Sequence, residues 1–123
     1  MENFIVEFYE KADGTIPIED FLDSLNQKSM VRVYGLIGIL EEYGNLLREP
    51  YSKYLNDGIF ELRVQCGNDR MRVLYFFYYG KQIVITNGFI KKTKKTPKKE
   101  IELAKKYRED YLQRVRDIDE NIS

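Results

Sequence analysis

Cationic side chains follow one another closely in the second half of this chain, and their types suit chemistry on phosphate. Arg63, Arg70 and Arg72 lie on or beside two segments that have the composition of β-strands. A cluster of six lysines follows a third such segment: Lys91, Lys92, Lys94, Lys95, Lys98 and Lys99. Guanidinium groups bind phosphate through paired hydrogen bonds, and ammonium groups bind it as point charges. The arrangement predicts a surface that binds a polyanion, and RNA is the first candidate.

The composition restricts the chemistry that such a surface could perform. The chain has no histidine, so the commonest proton-transfer group and metal ligand is missing. It also has no phosphate-binding glycine loop and no dinucleotide motif, and we expect neither a metal nor a cofactor. RNA allows a reaction without either, because the ribose 2′-OH can attack its own phosphorus. The protein would orient that hydroxyl, accept its proton, stabilise the charged phosphorane and protonate the leaving 5′-oxygen.

The charges are divided unequally along the chain, although the formal net charge is zero. Residues 1–61 carry 12 acids and 5 bases, a net charge of −7, and residues 62–123 carry 8 acids and 15 bases, a net charge of +7. This asymmetry favours a polyanion-binding half. The length predicts one domain over residues 1–123. The lone Cys66 excludes an internal disulfide, and the lack of a long apolar run or a basic N-terminal segment indicates a cytoplasmic protein.

The spacing of apolar residues predicts the elements that hold these cations. We expect strands over Phe4–Tyr9, Ile59–Gln65, Met71–Tyr78 and Gln82–Asn87, with an extension of the last strand to Ile90. We expect helices from Pro17 to about Asn26, over Lys28–Tyr43 and from Pro97 onward. We expect Leu46–Asn56 to be irregular, Asp117–Ser123 to fray, and Gly35 and Gly38 to allow close packing of their helix. The order β-α-α-β-β-β-α predicts an α+β fold in which the helices cover one face of an antiparallel meander and leave the other partly open to ligands.

Four segments resemble the RelE/ParE toxin superfamily, and within it the HigB-like, phage-derived Gp49-like branch. They read GIFELR at 58–63, RMRVLYFF at 70–77, ITNGF at 85–89 and KKTKKTPKKEIELAKKY at 91–107. The resemblance implies a RelE-like fold, an antiparallel meander packed against an N-terminal helical hairpin, with a C-terminal helix. It implies the toxin of a type II toxin–antitoxin system, a metal-independent endoribonuclease that cleaves mRNA on the ribosome and inhibits translation.

The resemblance also implies a partner and leaves two alternatives open. The partner is a cognate helix-turn-helix antitoxin of the HigA type, which holds the toxin inactive in a heterotetrameric complex. The superfamily also contains DNA gyrase inhibitors without nuclease activity, and a fold does not determine a function. A non-nucleolytic ParE-like inhibitor and a catalytically silent protein-interaction module are therefore the alternatives.

The resemblance places the superfamily's catalytic arginine on Arg72, and Arg63 is the second candidate for stabilising the phosphorane. Either arginine could instead form a structural ion pair with Glu61 across the strands. Lys91 and Lys92 follow the last strand, where related toxins place basic or acid–base residues. Either lysine could bind the scissile phosphate or protonate the leaving group.

The identity of the proton acceptor is open. Glu49 stands before a proline, as an acid does in the YoeB-like branch, but neighbouring cations lower the pKa of a carboxyl group and weaken it as a base. The RelE branch uses lysines on the strand that matches Ile59–Arg63, and Ile59 and Glu61 hold those places here. Glu49 and the nearby lysine at position 53 could also be ordinary loop charges. The remaining cations are expected to bind RNA: Lys53, Arg70, Lys94, Lys95, Lys98 and Lys99.

Overall fold

The computed structural model describes residues 3–122, without the side chain of residue 122. In chain order the elements are β1 (Ile5–Phe8), α1 (Pro17–Asp23), α2 (Gln27–Tyr43), a 3₁₀ turn (Gly44–Leu46), β2 (Ser52–Asn56), β3 (Ile59–Cys66), β4 (Asp69–Tyr78), β5 (Gln82–Ile90) and α3 (Lys98–Ile122). The predicted α+β class is confirmed.

One sheet of five strands, in the order β1-β5-β4-β3-β2, organises the molecule. Strands β2 to β5 form an antiparallel meander, and β1 lies parallel to β5 at the far edge. The expected irregular segment is wrong for Ser52–Asn56, which pairs with β3 as an edge strand. Its sequence SKYLN contains polar residues and shows little apolar alternation, as edge strands often do. The Ser52 hydroxyl, hydrogen-bonded to the hydroxyl of Tyr75, fastens this edge to the sheet.

Helices α1 and α2 pack on one face of the sheet. Pro17 begins α1, where its missing N–H is not needed, and the Asn26 side chain caps α2 by accepting a hydrogen bond from the Ser29 N–H at 2.8 Å. The apolar residues of both helices meet those of the strands in the larger core: Ile18, Leu22, Val33, Leu40, Leu62, Val73, Tyr75 and Ile85. The predicted helical hairpin therefore covers this face.

Helix α3 packs on the opposite face, so the expectation that all helices cover one face is wrong. A second core joins α3 to the sheet through Ala104, Tyr111, Leu74, Phe76 and Val84. Polar contacts add to it: the Tyr9 hydroxyl donates to Asp110 at 2.6 Å, and the Tyr111 hydroxyl donates to Glu7 at 3.0 Å. The predicted fraying is wrong for residues 117–122, which continue the helix; Ser123 lies outside the described residues. Helix α3 covers only part of this second face.

The two glycines of α2 do not have the predicted role, whereas the glycine that follows α2 does allow a close contact. Gly35 and Gly38 are exposed, and a Cβ built at either would meet no atom within 4 Å, so the expected close packing there is wrong. Gly44 instead permits a close approach, because its φ is 53° and a Cβ would fall on the ring of Phe4. Within residues 3–122, no helix has the length and apolar character needed to cross a membrane.

Candidate functional site

The register of β3 and β4 sets two arginines side by side. Arg63 pairs with Arg72, and the alternation of side chains places both on the face that α3 partly covers. Like charges directly opposite one another repel. The Glu61 carboxylate, only 1% exposed, compensates: the Arg63 Nε donates to its Oε2 at 2.9 Å, and the Arg72 Nε lies 3.8 Å from its Oε1. Both anticipated ion pairs are therefore present.

The guanidinium group of Arg72 is charged and almost completely buried. Arg72 is 7% exposed, and its Nη1 donates to the carbonyl of Met71 at 3.0 Å. Burial lowers the pKa of Arg72, while Glu61 raises it and Arg63 lowers it further; a guanidinium nevertheless stays protonated in proteins. Its buried Nε has no hydrogen-bond partner within residues 3–122. This Nε lies 3.8 Å from Glu61 Oε1, which is beyond hydrogen-bond distance but close enough for attraction between the charges.

Lys91 joins the arginines from the end of β5. Its N–H donates to the carbonyl of Arg70 at 2.7 Å, which extends the β4–β5 pairing by one residue. The residue is 8% exposed. Burial lowers the pKa of Lys91, Arg72 lowers it next, and Glu61 acts in the opposite direction. This ammonium group therefore gives up its proton more readily than that of an ordinary lysine.

Two cavities meet at Arg63. One of about 250 Å³ is lined mainly by charged groups, among them Lys53, Glu61, Lys91, Lys94 and Lys95. The other, of about 400 Å³, is lined by Arg63 and Arg72 together with Arg32, Tyr51 and Gln65. Arg63 lines both. We refer to the two cavities together as the cationic cleft; Arg72 lines the larger of them.

The structure brings some of the predicted site residues together and leaves others apart. Those in the cleft are Arg63, Arg72, Lys91, Lys53, Lys94 and Lys95. The Glu49 Oε2 lies 3.8 Å from Arg63 Nη1, with its side chain 63% exposed. Lys92, Lys98 and Lys99 are exposed and line neither cavity, and Arg70 is exposed beside the β3–β4 turn. These four cations can contribute charge at the periphery.

Sequence reasoning missed several residues that line the cleft. Arg32 reaches it from α2, Gln65 from the end of β3 and Thr96 from the segment before α3. Thr96 donates a hydrogen bond from its hydroxyl to Glu61 Oε1. Gln65 could have been found, since it shares a strand face with Arg63. Arg32 and Thr96 belong to no motif, and only the tertiary fold brings them here.

Comparison with known proteins shows the family to which the chain belongs. The family model described as phage derived protein Gp49-like matches residues 20–109, a segment that includes β2 to β5 and every residue named in the cleft. The chain therefore belongs to the Gp49-like family, a RelE/ParE-like toxin family associated with toxin–antitoxin systems. The predicted superfamily is confirmed, and the HigB branch stays a prediction. A search of the curated proteins found no match.

Proposed function

We propose that this protein is the toxin of a type II toxin–antitoxin pair and cuts mRNA on the ribosome. The observation that carries the proposal is the convergence of Arg63, Arg72 and Lys91 around one buried carboxylate, in a cleft open to solvent. Preorganised cations stabilise a phosphorane more strongly than they stabilise a phosphodiester, because negative charge grows as the phosphorane forms. Membership in a toxin family supports the biological role.

The proposed reaction is a transesterification within the RNA. The ribose 2′-oxygen attacks the adjacent phosphorus, the bond from phosphorus to the 5′-oxygen breaks, and the products are a 2′,3′-cyclic phosphate and a 5′-OH. Arg63 and Arg72, which both line the larger cavity, hold the non-bridging oxygens. Lys91 protonates the leaving 5′-oxygen, which its lowered pKa favours. Lys92, which is exposed, adds a second phosphate contact at the edge.

Glu49 is our candidate for accepting the 2′-OH proton. It lines neither cavity of the cleft, but its Oε2 lies 3.8 Å from Nη1 of Arg63, which lines both. Most of the rate would come from orienting the 2′-OH in line with the bond that breaks. The other cations bind the RNA backbone: Lys53, Lys94 and Lys95 inside the cleft, and Arg70, Lys98 and Lys99 around it.

The proposal includes partners. A helix-turn-helix antitoxin of the HigA type would hold the toxin inactive in a heterotetramer in the cytoplasm, and the ribosome would present the message. Family membership supports an antitoxin partner. The cleft supports a phosphate-bearing substrate such as RNA, because guanidinium groups bind phosphate through paired hydrogen bonds.

Expression in cells with primer extension on a reporter message tests the proposal. Wild type should cut the message, and Arg72→Ala should abolish the cuts. Arg116→Ala is the matched control, because Arg116 is exposed on α3 and bonds Gln113 at 3.3 Å. Equal cleavage by wild type and Arg72→Ala would reject the role of Arg72. An intact message with altered plasmid supercoiling would favour a gyrase inhibitor, and unaffected growth would favour an interaction module.

A further inference from the structure

We propose that Glu61 is the positioning residue of the cleft. It holds the guanidinium groups of Arg63 and Arg72 in place, and its hydrogen bond with Thr96 attaches the lysine-bearing segment, residues 91–96, over them. This inference rests on the proposed function and deepens it. Glu61 stands where the RelE branch carries a lysine, and it has no proposed role in proton transfer.

Both carboxylate oxygens of Glu61 are engaged. Oε2 accepts from Arg63 Nε at 2.9 Å, and Oε1 accepts from the Thr96 hydroxyl while lying 3.8 Å from Arg72 Nε. A carboxylate that is 1% exposed must be compensated in this way, since an unpaired buried charge costs several kcal/mol. Glu61 thereby links β3, β4 and the segment that precedes α3.

The segment over the cleft, residues 91–96, is fastened at both ends. At its start the Lys91 N–H bonds the carbonyl of Arg70, and at its end Thr96 bonds Glu61. Between them the Thr93 hydroxyl donates to the carbonyl of Lys95 at 2.7 Å, which closes a turn. Loss of the Thr96 contact would free one end of the segment that carries the lysines lining the cleft.

Glu61 acts through other groups rather than on the substrate. Its burial and its three partners leave no oxygen free for a ribose hydroxyl. Removing it would leave Arg63 and Arg72 as unscreened neighbours, and their repulsion would turn them away from a common phosphate. A displacement of about 1 Å in a catalytic group can cost about 100-fold in rate.

The charge of Glu61 also reaches Lys91. The groups that act on the Lys91 ammonium are Arg72 and Arg70 from β4 and Glu61 and Arg63 from β3, and Lys53, Lys94 and Lys95 line the same cavity. Glu61 alone among the four groups on β3 and β4 raises the pKa of Lys91. Glu61→Gln should therefore lower that pKa further and move the alkaline fall of the cleavage rate to lower pH. Thr96→Val keeps the carboxylate charge and should leave that fall in place.

Cleavage of an mRNA programmed on purified ribosomes tests the inference. Glu61→Gln should lower kcat by about 100-fold with little change in KM, and Thr96→Val should lower it by about tenfold, with recovery in Thr96→Ser. The matched controls are Glu102→Gln and Thr15→Val, whose side chains are exposed. Thr15 precedes α1, and its hydroxyl donates to the Asp13 carboxylate at 2.7 Å. An unchanged kcat and an unchanged pH profile in Glu61→Gln would overturn the inference. If Glu61→Gln does not fold, wild-type kcat in Thr96→Val would overturn it.

A second measurement separates this inference from the proposed function. If wild type cuts no RNA, the proposed function fails, but nitrogen-15 NMR still reports the positioning. The Arg63 Nε–H should exchange slowly in wild type because it bonds a buried carboxylate. Thr96→Val should shift the Nε signals of both cleft arginines, and Thr15→Val should not. Unmoved signals in Thr96→Val would contradict the positioning role.

Discussion

Replacing Lys91 by methionine removes one ammonium group from the cleft and retains a flexible side chain of similar length. Lys91 is 8% exposed, and its neighbour Lys92 is exposed. The pair Lys91→Met and Lys92→Met therefore compares a cation inside the cleft with one at its edge. If Lys91 is the general acid, only the first change should remove proton transfer to the 5′-oxygen.

The expected loss of kcat follows from the role of Lys91 as general acid. General acid catalysis contributes about 10²- to 10⁴-fold, which corresponds to about 2.7–5.4 kcal/mol of barrier. Lys91→Met should lower kcat by this factor, and Lys92→Met should change it by less than about tenfold. Because the pKa of Lys91 is lowered on folding, the charged lysine costs stability at pH values below that pKa. The urea midpoint of Lys91→Met at neutral pH should thus be no lower than that of wild type.

A sulfur substitution at the leaving group makes the assay specific. An RNA with a 5′-bridging sulfur releases a thiolate, and a thiol with a pKa of about 8.5 needs no proton donor to leave. On ribosomes carrying this message, Lys91→Met should cut within about tenfold of wild type. Wild type on ordinary RNA should lose rate at a pH below the usual lysine pKa of 10.5, and Lys91→Met should lack that fall.

An equal loss on the oxygen and sulfur substrates would refute the reasoning for Lys91. That result would mean that the ammonium group binds phosphate without protonating the leaving oxygen. A larger loss of kcat in Lys92→Met than in Lys91→Met would contradict the inference that the buried lysine, and not its exposed neighbour, is the general acid.

Three further predictions concern binding and stability. Lys94→Ala and Lys95→Ala should each reduce the slope of log binding constant against log salt by about 0.7 for a single-stranded RNA oligonucleotide; an unchanged slope would exclude phosphate contacts. Gly44→Ala should destabilise the protein by about 1–3 kcal/mol in urea unfolding, since the φ of Gly44 is 53° and the added methyl group overlaps the ring of Phe4. Gly38→Ala, where a Cβ meets no atom, should stabilise the protein by about 0.5–1 kcal/mol. Equal urea midpoints of the two variants would contradict this. Hydrogen bonds lower the pKa of Asp110 below 3.8, so its stabilisation should be lost as pH falls from 3.8, and Asp110→Asn should show a flatter acid unfolding profile.

Much of the sheet could be predicted because its strands carry strong local signals. β3, β4 and β5 have apolar runs bounded by turn residues, and local alternation assigns Glu61 and Arg63 to one face of β3. That Arg63 and Arg72 lie side by side is shown only by the register of β3 and β4. β2 was missed because an edge strand needs few apolar residues and depends on pairing with β3. The face covered by α3 was also missed, since an amphipathic pattern shows that a helix packs and does not show on which side of a sheet.

The site was predictable where one strand pair supplies the residues and unpredictable where distant elements meet. The possible ion pairs of Glu61 followed from its strand neighbours, but its burial depends on α3 and on Thr96, which is 35 residues away. Arg32 comes from a helix on the other side of the sheet and carries no motif. The exposed positions of Lys98 and Lys99 at the start of α3 were likewise decided by the packing of that helix.

The most direct measurement is the fate of a message with one 2′-deoxy nucleotide at the cut position, read together with the ends of the products. On ribosomes programmed with all-ribose mRNA, the protein should yield a 2′,3′-cyclic phosphate and a 5′-OH, and the single 2′-deoxy substitution should abolish cutting at that bond. Cutting that survives the substitution, or products with a 3′-OH and a 5′-phosphate, would contradict attack by the ribose hydroxyl in the arginine and lysine cleft.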